Sequence, residues 1–140
     1  MSVPSTLSLE LVTPDQSVVH EKVEEVELPG SEGYFGVLPG HTPLLALLGV
    51  GEMWYRVGAE RFYLSLAGGF VEVLPDRVIV LAHIAERAED IDVQRAERAR
   101  QQAEDRLTRA TPDLDVHRAH LALLKQLTRL RVAQRARTRR

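Results

Sequence analysis

The chain contains no cysteine among its 140 residues. This excludes a disulfide framework and a thiolate metal site, and it is compatible with a reducing compartment. The longest apolar run, near residues 44–50, is far shorter than the ~20 residues that a membrane-spanning helix needs. The first residues lack a basic segment followed by an apolar core, so no secretory signal is expected. Work at a membrane would therefore require a partner.

Sequence motifs for catalysis are also missing. The chain has no G-x-S-x-G, no glycine loop followed by a phosphate-binding lysine, and no H-E-x-x-H. His117 and His120 have the spacing to share a metal on a helix, but no third ligand accompanies them, and solvated histidines are the better interpretation. The sequence therefore predicts a protein that is not an enzyme.

Charge is distributed unevenly along the chain. Residues 1–90 contain 14 acidic and 5 basic side chains, a net −9, whereas residues 91–140 contain 6 acidic and 13 basic side chains, a net +7. Such a division predicts two parts with different partners. The basic part has no aromatic residue to stack on bases and no nucleic-acid motif, so no nucleic-acid partner is expected.

The first part of the chain has the pattern of short strands. Leu7, Leu9 and Leu11 alternate with polar residues, which predicts a half-buried strand. Two more short strands are expected at 18–20 and 22–28. Apolar runs around short turns predict two hairpins, 52–66 and 70–82, with a break at the glycines of residues 67–69. Many short strands without intervening helices indicate a β-sandwich or barrel.

Helix-forming residues dominate from Asp90 onwards. A seam of small residues predicts one helix that another helix can approach closely: Ala96, Ala99, Ala103, Leu107 and Ala110. Residues 111–113 interrupt the pattern, and Asp115 can cap a second helix. Its predicted apolar face contains Val116, Leu123, Leu127 and Leu130, and its basic face contains Arg118, Lys125 and Arg129. We therefore predict an antiparallel two-helix hairpin.

Residues 30–45 have the sequence GSEGYFGVLPGHTPLL, in which four glycines and two prolines exclude a long helix or a central strand. With LSLAGGFVEVLPDRVIVLA at 64–82 and AEDIDVQRA at 88–96, this stretch resembles the small rotor-stalk subunit of F-type ATP synthases, called epsilon in bacteria and delta in mitochondria. The resemblance covers nearly the whole chain and is weakest at the termini.

The resemblance implies an α+β fold built as separate parts: an N-terminal all-β sandwich of about ten short strands, followed by a C-terminal antiparallel two-helix hairpin. We expect the sandwich at residues 1–86 and the hairpin at 87–140. The resemblance also implies a non-catalytic central-stalk subunit that couples the gamma subunit to the proton-driven ring of c subunits. The hairpin would contact the alpha and beta subunits and inhibit ATP hydrolysis, at the cytoplasmic face of the bacterial plasma membrane.

In this family the lower end of the sandwich rests on the membrane rotor ring, and another face binds gamma. The resemblance implies ring contacts from Ser31, Glu32, Tyr34 and His41. Tyr34 occupies a position where the family often has an acidic residue. His41 has an alternative role, which is to satisfy the backbone of a turn.

A regulatory ATP site occurs in some bacterial members at the motif I/L-D-x-x-R-A. The resemblance implies such a site here, with no other cofactor required, at Glu86, Ile91, Asp92, Arg95, Ala96, Lys125 and Arg129. Gln102 stands where nucleotide-binding members have another arginine, and Lys125 also replaces an arginine. The alternative is that Asp92 is a helix cap and Arg95 an exposed helical residue.

The second helix would also meet an acidic segment of the catalytic beta subunit through Arg118, Lys125, Arg129, Arg131 and Arg135. Two other functions stay open from the residues alone. One is a stand-alone nucleotide-sensing domain that uses Asp92, Arg95 and Arg129. The other is a basic helical adaptor for a different acidic protein.

Overall fold

The computed structural model describes residues 3–109, 112 and 115–138, and side chains only as far as residue 136 in the last helix. The chain divides into two compact units, Met1–Arg87 and Ala88–Arg140. The first consists of strands and the second of helices, in the order that the sequence pattern predicted. Ala110, the last residue of the predicted seam, lies outside the described residues.

The described part of the N-terminal unit contains eight strands, and the C-terminal unit contains a 3-10 turn and two helices. The strands are β1 (Leu7–Val12), β2 (Ser17–Val23), β3 (Glu25–Gly30), β4 (Gly33–Val37), β5 (Leu44–Leu47), β6 (Val50–Val57), β7 (Glu60–Leu74) and β8 (Arg77–Arg87). The C-terminal elements are the 3-10 turn Ala88–Asp90, α1 (Val93–Thr108) and α2 (Val116–Thr138).

The strands pair in the order β2-β1-β8-β7-β6-β3-β4, and β5 pairs separately with β7. All these pairs are antiparallel except β1 with β8, which is parallel. The first part of β7 pairs with β6 and the second part with β5, while β8 follows β7 along both parts. The two long strands thus join both layers of the sandwich around one core.

The prediction of a chain break at residues 67–69 is wrong, because β7 is continuous from Glu60 to Leu74. Gly68 and Gly69 adopt φ values of 75° and 114°. A Cβ atom at Gly69 would collide with the carbonyl oxygen of Leu81. The two glycines therefore let the strand bend where residues with side chains would be strained. This accounts for eight longer strands in place of about ten short ones.

Two other boundaries differ from the prediction. The break between β2 and β3 falls at Glu24, whose N–H donates to the carbonyl oxygen of Arg56 at 2.8 Å. β3 also continues through Pro29 to Gly30. Two short strands, β4 and β5, form inside the glycine-rich stretch. β4 lies at an end of the strand order and β5 off its path, so neither is a central strand.

The core lies between the sandwich layers. Leu7, Leu9 and Leu11, the predicted inward face of β1, are fully buried, which confirms that prediction. They belong to one cluster with apolar side chains from the other strands, among them Val26, Leu28, Met53, Tyr55, Leu64, Leu66, Val71, Val73, Val78 and Val80. The N-terminal unit thus has its own hydrophobic core.

In the C-terminal unit, α1 begins after Asp92, whose Oδ1 accepts a hydrogen bond from the N–H of Arg95 at 3.1 Å. The alanine seam is confirmed for the residues described. Ala96 and Ala103 are buried, and Ala99 and Leu107 are half-buried. α1 packs against α2, and α2 also contacts the 3-10 turn that precedes α1.

The predicted faces of α2 are wrong only in part, because Leu123 and Leu130 are half-buried and Arg118 is exposed, in agreement with the prediction. Val116 and Leu127, assigned to the buried apolar face, are 52% and 38% exposed. The buried residues are instead Ala119, Thr128, Val132 and Ala133. Lys125 and Arg129, assigned to the outer face, are half-buried. Small side chains allow two helices to approach closely, and long Lys and Arg stems can cover apolar surface while their charged ends reach water.

Candidate partner-binding surfaces

An open groove of about 540 Å³ lies between the Gly30–Phe35 segment and strand β5. Ser31, Glu32 and Tyr34 line one side, and Leu44, Leu45 and Leu47 line the other. Three of the four residues that the family resemblance assigns to contacts with the rotor ring are therefore adjacent, and all three are exposed. The N–H of Ser31 donates to the carbonyl oxygen of Leu47 at 2.8 Å, which ties the two sides together.

Tyr34 has a fixed position at this groove. Its phenol oxygen accepts a hydrogen bond from the N–H of Glu52 at 3.1 Å. The ring approaches Gly51 so closely that a Cβ there would lie 2.5 Å from the phenol oxygen, and 2.6 Å from the Cβ of Pro29. Tyr34 thus presents a partly polar aromatic ring, fixed by its contacts with β6, at a position where the family often has a charged side chain.

His41 lies outside the lining of the groove. Its ring Nδ1 donates to the carbonyl oxygen of Thr42 at 2.6 Å, and its own N–H donates to the carbonyl oxygen of Leu38 at 3.2 Å. The residue is half-buried. These bonds favour the alternative in which His41 satisfies its own turn.

A row of exposed apolar side chains crosses three strands, and the sequence interpretation missed it. Leu47 on β5 is paired with Phe70 on β7, which is paired with Leu81 on β8. Residues paired in this way share one face of a sheet. The three are 66%, 43% and 36% exposed, respectively. We call Leu47, Phe70 and Leu81 the apolar row. The signal in the sequence was the run Leu44–Leu48, which is apolar in both phases of the strand alternation.

Acidic side chains lie beside the apolar row. Two residues along each strand from the apolar row, on the same face of the sheet, Leu45 pairs with Glu72, which pairs with Ile79. Ile79 pairs in turn with Glu10 on β1. A partner that covers the apolar row should therefore place basic or polar groups near Glu72.

The structure brings together only some of the residues that the family resemblance assigns to an ATP site. Asp92 caps α1 and Arg95 lies in its first turn, and both are exposed, whereas Ile91 and Ala96 are buried and serve packing. Lys125 and Arg129 lie on α2, the helix that contacts the 3-10 turn. Nη1 of Arg129 donates to Oε1 of Gln126 at 2.9 Å. Glu86 belongs to the N-terminal unit, near the end of β8.

Two charge clusters are already engaged within the fold. Arg56 pairs with Glu24 at 3.0 Å and with Glu25 at 3.1 Å. The N–H of Gly58 also donates to Glu24, and this bond, followed by Arg56, lowers the pKa of the Glu24 carboxyl. On α1, Arg100 pairs with Glu97 and with Glu104, and the hydrogen bond from Arg100 lowers the pKa of Glu97. These ion pairs stabilise local structure, so the charged side chains in them are less available to partners.

Neither a metal site nor a membrane span emerges from the residues that the structure describes. His117 and His120 are both exposed, and no group of three metal-ligating side chains occurs within 3–109, 112 and 115–138. Of the helices in those ranges, none combines the length and apolar character needed to cross a bilayer.

Comparison with known proteins covers both units. Residues 6–88 match the family model for the ATP synthase delta/epsilon chain β-sandwich domain. Residues 89–134 match the model for the long α-helix domain of the same chain. An ATP synthase epsilon chain from Solibacter usitatus is 45% identical over 133 residues, which cover 95% of this chain and 99% of the relative.

Solved structures show the same fold. A chain of the Euglena gracilis mitochondrial ATP synthase, in its OSCP/F1/c-ring structure, aligns with a TM-score of 0.80 at 21% identity, covering 99% of this chain and 84% of that chain. A chain of the Tetrahymena thermophila mitochondrial ATP synthase central stalk and c-ring aligns with a TM-score of 0.58 at 14% identity, covering 96% and 98%. The chain therefore belongs to the family of ATP synthase delta/epsilon chains, the non-catalytic accessory subunits of the F-type enzyme.

Proposed function

We propose that this chain is a rotor subunit of the central stalk that couples the gamma subunit to the ring of c subunits, at the cytoplasmic face of the bacterial plasma membrane. The observation that carries the proposal is the apolar row. Leu47, Phe70 and Leu81 stand side by side on the outside of the sandwich. A contiguous exposed apolar surface on a folded protein marks an interaction site.

Gamma is the partner that we assign to the apolar row. The row is built on hydrogen-bonded strands rather than on loops, so it offers a rigid surface that loses little entropy on binding. Apolar side chains at its centre would supply most of the affinity, and Glu72 beside it would select a partner with a basic edge.

The Gly30–Phe35 side of the groove is the surface that we assign to the c ring, whereas Leu47 on the other side belongs to the apolar row assigned to gamma. Ser31, Glu32 and Tyr34 are exposed along the Gly30–Phe35 side, and Tyr34 is held by its bond with the Glu52 N–H. A rotor contact must transmit torque, and a side chain held by packing transmits force better than a mobile one. His41 contributes indirectly, because its hydrogen bond with the Leu38 carbonyl oxygen shapes the turn between β4 and β5.

The C-terminal helices supply the inhibition of ATP hydrolysis in this proposal, through contacts with the alpha and beta subunits. In the hairpin described here, α2 exposes Val116, Leu121, Leu124 and Leu127, while Lys125 and Arg129 are half-buried. Rearrangement of the hairpin would release these cations towards the acidic segment of the beta subunit, together with Arg118, Arg131 and Arg135. The half-burial of Lys125 and Arg129 gives the two arrangements different surfaces, which a switch requires.

Regulatory ATP would oppose this rearrangement by binding the folded hairpin at Asp92, Arg95, Lys125 and Arg129. The proximity of the 3-10 turn to α2 supports such a site. One observation counts against an ATP site: the Asp92 carboxylate already accepts the N–H of Arg95 as a helix cap.

Co-purification from native membranes tests the coupling role. We expect the wild-type chain to bring down gamma, and Phe70→Asp to lower the yield of gamma at least about tenfold, because a desolvated carboxylate would face the partner. Val57→Asp is a matched control at the β6–β7 turn, where Val57 is 38% exposed, close to the 43% of Phe70. Equal loss of gamma in both variants, or loss in neither, would contradict the assignment.

A further inference from the structure

Arg87 is the last residue of β8 and the last residue of the N-terminal unit. Its backbone pairs with Leu64 of β7. Its guanidinium reaches two other strands: Nη1 donates to the phenol oxygen of Tyr55 on β6 at 3.0 Å, and Nη2 donates to the carbonyl oxygen of Val18 on β2 at 3.2 Å. One side chain thus ties the end of β8 to β2, at one end of the strand order, and to β6, which lies on the other side of β7.

Both acceptors are themselves held in place. Tyr55 is fully buried, and its ring stacks on Phe62 with centroids 5.1 Å apart and planes 16° apart. Burial, followed by the hydrogen bond with Glu21, raises the pKa of Tyr55 to about 12, so the phenol is neutral at physiological pH. Val18 lies at an irregularity of the β1–β2 ladder, where Leu11 pairs with Val19 and Val12 with Ser17. A bulge of this kind redirects a backbone group out of the ladder.

The chain changes character immediately after this anchor. The 3-10 turn starts at Ala88, and the second compact unit starts at the same residue. We propose that Arg87 is a positioning residue that fixes the end of β8 to the sandwich, so that any rearrangement of the C-terminal helices begins at Ala88 and leaves β8 paired with β7. The inference rests on the proposed movement of the hairpin. Without the anchor, the last residues of β8 would separate from β7 together with the helices, and the pivot would shift along the strand.

Hydrogen exchange measured on the full-length chain tests this inference. In Arg87→Gln, the amides of residues 83–87 should exchange about tenfold faster or more, because hydrogen bonds from a charged donor are lost. The amides of residues 78–81, which also pair with β1, should be unchanged. Arg87→Lys keeps the charge and a donor but loses the planar fork, so it should restore part of the protection.

Tyr55→Phe provides a second variant that removes one of the two bonds and keeps the aromatic stack. It should raise exchange at residues 83–87 by a smaller factor, and it decides the matter if Arg87→Gln does not fold. Unchanged exchange at these amides in the folded variants overturns the proposal, as does a uniform rise along all of β8. The outcome is separate from the proposed inhibition, which is judged by ATP hydrolysis after removal of the hairpin.

Discussion

Gly51 lies beneath the phenol of Tyr34, and the two leave no room for a side chain at position 51. A Cβ there would lie 2.5 Å from the phenol oxygen. The same phenol oxygen accepts the N–H of Glu52 at 3.1 Å, so the aromatic ring and β6 hold each other in place. The side of the groove assigned to the c ring depends on this contact, because Tyr34 forms part of its lining.

Replacing Gly51 by alanine should therefore displace Tyr34 and lower the free energy of unfolding by about 1–3 kcal/mol, the usual cost of overpacking. Chemical denaturation measures the change. Gly36→Ala on β4 is the matched control, since a Cβ at Gly36 would meet only the Val26 carbonyl oxygen, at 4.0 Å. An effect of Gly51→Ala no larger than that of the control would show that the contact does not constrain the groove.

Acid should weaken the N-terminal unit in part through Glu24. The Gly58 N–H and Arg56 lower the pKa of this carboxyl below its ordinary value of 4.5. A lowered folded-state pKa means that the stabilisation is present above about pH 4.5 and is lost as the pH falls through the folded-state value. We expect Glu24→Gln to reduce the fall in Tm on acidification, measured between neutral and acidic pH. Arg56→Gln should reduce it too, and profiles parallel to the wild type would refute this role.

The sandwich should fold without the helices, because its strands enclose one core. We predict that a fragment of residues 1–86 gives a cooperative β-protein transition by circular dichroism. A fragment of residues 1–88 should be more stable by about 1–3 kcal/mol, because it retains the charged hydrogen bonds of Arg87 with Tyr55 and Val18. An unfolded shorter fragment would contradict the independence of the two parts.

ATP should bind weakly, with a dissociation constant in the millimolar range, and binding should depend on Arg95 and Arg129. Lys125 offers a point charge rather than a two-pronged phosphate contact, and Gln102 adds no cation. Titration calorimetry of the wild type, Arg95→Ala and Arg129→Ala measures this, with Arg98→Ala, exposed on the same helix, as control. Sub-micromolar affinity would show that the two departures from the motif matter little.

Removal of residues 112–140 should raise ATP hydrolysis by the whole enzyme and leave gamma binding intact. Replacing Arg118, Lys125 and Arg129 together by alanine should give part of the increase, and the gain from these cations should weaken with salt. Val116, Leu124 and Leu127 changed together to serine test the exposed apolar face instead. Unchanged hydrolysis after the deletion, in an enzyme that retains the truncated subunit, would leave only the coupling role.

The sequence by itself determined the order of the parts. Alternation at Leu7, Leu9 and Leu11 and the alanines at 96 and 103 identified buried faces that the structure confirms. These signals are local, because a period of two or of 3.6 residues sets which side chains share a face. The glycine-rich motif identified the family for the same reason, since it is continuous in the chain.

Only the tertiary structure decided which surfaces are available to partners. The apolar row joins Leu47, Phe70 and Leu81 from three strands, and no local pattern predicts their register. Whether β7 ends or bends at Gly69 depends on what β8 places against it, here the Leu81 carbonyl. The faces of α2 were decided by close packing of small residues, which exposed Val116 and Leu127. Such choices depend on contacts between distant segments, where packing outweighs the periodicity of any single helix or strand.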